Sequence, residues 1–227
     1  MRLRALALLL AVWMLTYLAL PTLADASIVY RHAGKEGDRR IALTFDDGPH
    51  PRYTKEILDI LEEFGVEATF FVVGVNAETY PELIRRALEE GHEIGNHSYN
   101  HYHISELSAE AFARDLNACN AAIQRITGER AHLFRPPEGV CTDAIKSICS
   151  ENSYTIVMWS VDTRDWAHTP VDEICRNVRE NAKDGSIILM HDFIGKNSPT
   201  PAALRRIIPM LQESGFEFVT ISQLLER

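Results

Sequence analysis

The chain has no Cys-x-x-Cys pair, no Gly-x-Gly-x-x-Gly, no Walker sequence and no stripe of basic residues. Each absence closes a door. Without clustered lysine and arginine there is nothing to track a phosphate backbone, and a net charge of −9 opposes nucleic acid further. Without a glycine-rich phosphate loop there is no pointer to a nucleotide. Without paired cysteines a zinc ribbon is excluded. There is also no internal repeat and no low-complexity tract. Hydrophobic residues make up 46% of the 227 positions, an ordinary globular value that argues against disorder.

Long apolar runs are missing too, except at the start. Met1-Arg2-Leu3-Arg4 precedes an uncharged stretch from Ala5 to Ala24, and Ala24-Asp25-Ala26 closes it. A positive end, an apolar middle and a small-x-small site predict an export signal over residues 1–26, cleaved after Ala26. The stretch is also long enough to serve as an uncleaved anchor. Either way the remaining domain is expected outside the cytoplasm, secreted or at the cell wall. Without residues 1–26, 21 basic and 31 acidic residues give −10. The four cysteines, Cys119, Cys141, Cys149 and Cys175, allow three disulfide pairings in an exported chain, or simply buried thiols.

Residues 27–40 read as a lead-in, and 41–227 as one catalytic domain of about 190 residues, enough for a single buried core. From Ile41 a rhythm repeats: an apolar strand, a polar turn, an amphipathic helix. Strands are predicted at 41–45, 68–73, 93–95, 133–135, 155–160, 186–190 and 216–221. Helices are predicted at 54–64, 81–90, 108–126, 142–151, 170–182 and 201–214, with a short terminal piece. Continuous apolar strands are buried on both faces, as in parallel sheets. The fold class is therefore α/β, a distorted (β/α) barrel of about seven units, with an open doubly wound sheet second.

Chemistry-bearing residues follow the strands: Asp46 and Asp47, then His97 and His101, Arg135, Asp162 and Asp165, and His191. In a β/α barrel these strand ends share the face where active sites form. A carboxylate at Asp47 and imidazoles at His97 and His101 outline an open metal site. The i, i+4 spacing predicts both rings on one face of a helical turn. Three protein ligands leave a coordination position free, which points to hydrolysis. Zn²⁺ is the first expectation, although Co²⁺, Mn²⁺, Ni²⁺ or Fe²⁺ could occupy such a set.

Five segments carry a resemblance: Thr44-Phe45-Asp46-Asp47-Gly48-Pro49, His97-Ser98-Tyr99-Asn100-His101, Arg135-Pro136-Pro137-Glu138-Gly139, Asp162-Thr163-Arg164-Asp165-Trp166 and Leu189-Met190-His191. In this order they resemble the NodB-type polysaccharide deacetylases, the carbohydrate esterase 4 family, over Ile41 to Leu225. The resemblance implies a NodB homology domain that removes acetyl from an N-acetylated sugar polymer with a divalent metal. It implies that Asp47, His97 and His101 hold the metal and that Asp46 is the general base, with Arg135 keeping it ionised. It implies that His191, kept charged by Asp165, protonates the departing amine, which an amide requires because its anion leaves poorly. Pro137 and Glu138 would belong to the substrate side, with the Glu138 N–H stabilising the oxyanion. Trp166 and Leu189 would form the slot for the acetyl methyl.

Taken singly, each segment has a plainer reading. Asp-Gly-Pro makes turns, lone histidines are commonly structural, and Asp165 could cap a helix. Five coincidences in order are harder to accept. His32, His92 and His132 read as structural or surface residues, while His50, His103 and His168 lie in rim loops near the site, where they could touch substrate but more simply have no role. Glu138 departs from the tyrosine common at its position, and an acid there disfavours carboxylate-bearing sugars. The expected substrate is peptidoglycan, then chitin oligomers, with O-deacetylation of xylan as a rival reaction and a silent glycan-binding module as a rival class. A glycosidase is disfavoured because adjacent carboxylates cannot flank one bond. No protein partner is indicated, and a monomer is the default.

Overall fold

A computed structural model describes residues 27–32, 34 and 37–226. The export segment lies outside the described residues. The described residues form nine strands: β1 (Ile28–Val29), β2 (Arg40–Asp46), β3 (Thr69–Val72), β4 (Glu93–Asn96), β5 (Leu133–Phe134), β6 (Thr155–Val157), β7 (Val161–Asp162), β8 (Ile187–His191) and β9 (Glu217–Phe218). Every strand pairing among them is parallel, in the order β1-β6-β5-β4-β3-β2-β8-β7, with β9 beside the start of β2. Among the described residues eight α-helices flank the sheet: α1 (Tyr53–Phe64), α2 (Gly74–Thr79), α3 (Pro81–Glu89), α4 (Ala109–Thr127), α5 (Asp143–Glu151), α6 (Val171–Asn181), α7 (Thr200–Glu213) and α8 (Ile221–Leu225). The sheet curls into a distorted barrel, as expected. It is incomplete because β6 and β7, adjacent in the chain, do not pair.

Alternation along β2 shows how the barrel is filled. Ile41, Leu43 and Phe45 belong to the cluster under the helices, whereas Ala42 joins Phe71, Leu133, Val157 and Ile187 inside the barrel. Ile221 and Leu224 of α8 close that inner cluster from the strands' N-terminal end. Continuing inward along β2, Thr44 and then Asp46 are buried beside Arg135, so the interior turns polar towards the strand C-termini. This gradient places the chemistry at one mouth.

The lead-in is part of the sheet. Ile28 and Val29 pair with Ile156 and Val157, and Arg31 then bridges to Ser186 just before β8. The 155–160 strand is also split, because β6 pairs with β5 and β1 while β7 pairs with β8. All four cysteines are free thiols, and Cys119, Cys149 and Cys175 are buried.

Candidate active site

Strand register sets the first relation. Asp46 of β2 and His191 of β8 are direct Cα partners in the parallel ladder, so their side chains share one face. Asp46 is buried, and its Oδ1 accepts from the Arg135 guanidinium at 2.7 Å. Arg135 is fully buried. It donates also to Thr44 Oγ1 and to the carbonyls of Val157 and Met158, and it lies 4.2 Å from the Phe71 ring centroid. The guanidinium is thus fixed by four further contacts while it holds one oxygen of Asp46 in a charge-assisted hydrogen bond.

Asp47, one residue on, leaves the strand with a left-handed backbone, φ 78°. That reversal separates it from Asp46 and turns it towards the two histidines. Its Oδ1 lies 3.1 Å from His101 Nε2 and 3.4 Å from His97 Nε2. Two ligands bound at about 2.0–2.1 Å to one tetrahedral ion stand about 3.3 Å apart, so these separations fit a shared metal. All three ligand atoms lie within 4.8 Å of one another. His97 Nδ1 is 2.7 Å from the Arg135 carbonyl, which can only accept. The proton is therefore on Nδ1 and the Nε2 lone pair faces the site, the outer support that metal-ligating histidines require. Burial works to raise the Asp47 carboxyl; facing protonated imidazoles, the hydrogen bonds it accepts from His101 and His97 outweigh burial and hold it below the usual carboxylate range.

The two histidines do not lie on a helical turn. Ser98 and His101 are left-handed, at φ 69° and 54°, and residues 97–103 are irregular. Side chains hold this loop where a helix would have used its own backbone. Asn96 Oδ1 accepts from the Ser98 N–H, Ser98 Oγ from the His101 N–H, and Asp115 of α4 from the Tyr99 N–H and the Asn100 amide. The i, i+4 spacing converges on one ion for a different reason than expected. Asp115 had no signal in the sequence.

Across the cleft, His191 Nδ1 is 2.8 Å from Asp165 Oδ1. Asp165 is fully buried, and its Oδ2 accepts from the His191 backbone N–H and from the Thr200 hydroxyl. Burial opposes a charged imidazole, but the hydrogen bond to Asp165 and then the charges of Asp165, Asp46 and Asp47 push His191 up to about 9.

Asp46, Asp47, His97, His101 and His191 line one cleft of about 490 Å³, with Pro136, Glu138, Gly139, Trp159, Asp162, Trp166 and Leu189. The lining proline is Pro136. Pro137, expected on the substrate side, is buried as the first residue of a 3₁₀ turn. Trp166 is half exposed, Leu189 is buried, and both line the cleft. Trp159 was not anticipated; its ring sits where a Cβ on Gly139 would come within 2.8 Å. Glu138 takes φ 57°, and its Oε1 is 2.8 Å from His103 Nδ1, so one rim histidine does have a partner at the cleft. A hollow of about 760 Å³ at the opposite end of the barrel, beside Arg40, Phe216 and Gln223, carries no comparable grouping.

A family model described as polysaccharide deacetylase matches residues 33–157. The chain belongs to the polysaccharide deacetylase family. A peptidoglycan-N-acetylglucosamine deacetylase of Bacillus cereus is 43% identical over 190 residues, covering 83% of this chain and 89% of that protein. The crystal structure of the Bc1960 peptidoglycan N-acetylglucosamine deacetylase superposes with a TM-score of 0.82 at 36% identity, covering 86% of this chain and 92% of that one. BA3943, a family 4 pseudoenzyme from Bacillus anthracis, superposes nearly as well, at 0.81 and 30% identity, covering 89% and 70%. Fold likeness thus spans active and inactive members, and the site residues must carry the activity. This deacetylase is a hydrolase of carbon–nitrogen bonds acting on N-acetylated glycans.

Proposed function

We propose that this chain is an exported, zinc-type N-deacetylase of peptidoglycan that acts on its N-acetylglucosamine residues. The carrying observation is that two oppositely prepared proton-transfer groups, Asp46 on Arg135 and His191 on Asp165, stand on neighbouring strands beside the Asp47–His97–His101 triad. A carboxylate held by a guanidinium and an imidazole held by a carboxylate, facing one cleft, are a base and an acid candidate for one reaction.

Asp47, His97 and His101 would hold the metal, which supplies Lewis-acid polarisation and acidifies a bound water. Asp46 accepts the proton of the attacking water. Arg135 pairs with Asp46 and fixes its direction. His191 then gives a proton to the departing amine nitrogen, so that an amine and not its anion leaves. Leu189 and Trp166 exclude water from around the acetyl methyl, and the Glu138 N–H stabilises the tetrahedral oxyanion.

The preference for N-acetylglucosamine rests on Glu138. Its carboxylate stands at the cleft mouth, where the lactyl carboxylate of a muramic residue would meet like charge. The name of the B. cereus relative supports the same sugar. Export rests on residues 1–26.

The test is acetate release by residues 27–227 from peptidoglycan, chitin pentamer and acetylated xylan, with chelator and then with added Zn²⁺. Expected is chelator-sensitive release from peptidoglycan, restored by metal, without chain shortening. Mass spectrometry of the digested product should place the lost acetyl on glucosamine. Release from xylan alone would replace the amidase reading with an esterase, and loss of acetyl from muramic residues would remove the role given to Glu138.

A further inference from the structure

His191 is followed by Asp192, which is 1% exposed and takes no part in the chemistry above. Its surroundings are specific. The Asp192 N–H donates to the Asp46 carbonyl at 3.1 Å. Its carboxylate Oδ2 accepts from the Thr54 hydroxyl at 2.5 Å, and the same hydroxyl oxygen accepts from the His50 N–H at 2.7 Å. Its Oδ1 is buried with no partner among the described residues. Gly48 lies so close that a Cβ there would fall 1.9 Å from Asp192 Oδ2. Residues 46–54, which carry Asp47, therefore wrap around the carboxyl group of Asp192. The far side of the loop is tied as well: Asn76 donates to the Asp47 carbonyl at 2.8 Å and the Val73 N–H to the Gly48 carbonyl at 2.9 Å.

We infer that Asp192 is a positioning residue for the metal centre: its side chain is the post around which the Asp46–Thr54 loop closes, and it fixes the left-handed backbone that aims Asp47 at His97 and His101. Burying a carboxyl group at a site this dry is costly, and a core residue chosen for packing alone would be apolar. Gly48 fits the same account, since any side chain there would displace the post. Because Asp192 directly follows His191, the general acid and the metal loop are held by consecutive residues of β8 and its end. The inference rests on the reading of Asp47 as a metal ligand.

The test is metal binding, read without turnover. Zn²⁺ affinity is measured by competition with a chromophoric chelator, and the coordination geometry by the absorption spectrum of the Co²⁺-loaded protein. Outer supports of metal ligands are worth about 10- to 100-fold in affinity. Asp192→Ala is expected to weaken Zn²⁺ by about that factor and to change the Co²⁺ spectrum. Asp192→Asn keeps the shape and an acceptor for Thr54, so it should restore both. Wild-type affinity and spectrum in Asp192→Ala would overturn the inference, as would an Asn variant no better than Ala. If Asp192→Ala does not fold, Thr54→Val removes only the hydroxyl link, and unchanged affinity in that variant would overturn it. A wild-type protein that binds no metal would instead refute the reading of Asp47.

Discussion

Asp46 and Asp47 share a functional group and a peptide bond, yet the fold assigns them to different surroundings. Asp46 ends an extended strand and points into the barrel against Arg135. Asp47 begins a left-handed turn and points at the histidines. Asp46→Asn is accordingly expected to lower turnover by about 10²- to 10⁴-fold while leaving the bound metal in place, as checked by steady-state kinetics beside metal analysis. Loss of the metal in that variant would show that Asp46 is itself a ligand. His191 offers a test by pH. Its folded pKa is raised from 6.5 to about 9. The stabilisation from its charged pairing with Asp165 is therefore complete below 6.5 and lost as pH rises through about 9. Asp165→Asn removes the largest raising contribution, so the alkaline limb of kcat/KM should move to lower pH, and the fall in stability across that window should flatten. An alkaline limb that stays put would mean that another group titrates there. At this scale the triad and the gathering of Asp46, Arg135, Asp165 and His191 at one rim were legible because strand ends carry them; which of them pair was implied only by the family resemblance. The left-handed backbone at Ser98 and His101 was not, since it depends on Asp115, a residue of a later helix.

Strands and helices were legible wherever burial writes a long pattern. β2, α1 and α4 fall within a residue or two of their expected bounds because an unbroken apolar run or a 3.6-residue stripe marks them. Short elements escaped. α2 has six residues, too few to show a period, and β1 has two. The last strand was expected to reach Ile221, but it stops at Phe218. The cause is local: Thr220 accepts from the Gln223 N–H and Gln223 Oε1 from the Thr220 N–H, a capping box that starts α8 and turns Ile221 and Leu224 into the barrel floor. Thr220→Ala should cost about 0.5–2 kcal/mol, measured by urea unfolding. Activity at low temperature should be unchanged, because α8 closes the end of the barrel opposite the cleft. A loss of activity without a loss of stability would show that the floor communicates with the mouth.

Considered as a whole, the molecule is a curled parallel sheet whose seam falls between β6 and β7, where the chain passes directly from one to the other without pairing. The lead-in runs along this gap. The Ile156 N–H donates to the Ser27 carbonyl, Met158 to Val29, and His32 to the Gly185 carbonyl just before β8. The strand it covers is the one whose Val157 and Met158 carbonyls receive the Arg135 guanidinium. A domain taken to begin at Ile41 would leave β6 as an open edge beside the buried Arg135–Asp46 pair, and open edges invite mispairing. Composition could not reveal this, because residues 27–40 are short, charged and without a period. A chain starting at Asp38 is therefore expected to lose at least three backbone hydrogen bonds, each about 0.5–1.5 kcal/mol, and to melt at least about 4 °C below residues 27–227. Turnover should fall with it, since Arg135 would lose part of its support. Equal melting temperatures and equal turnover for the two chains would mean that the lead-in only decorates the barrel. Equal stability with lower turnover would place its role at Arg135 alone.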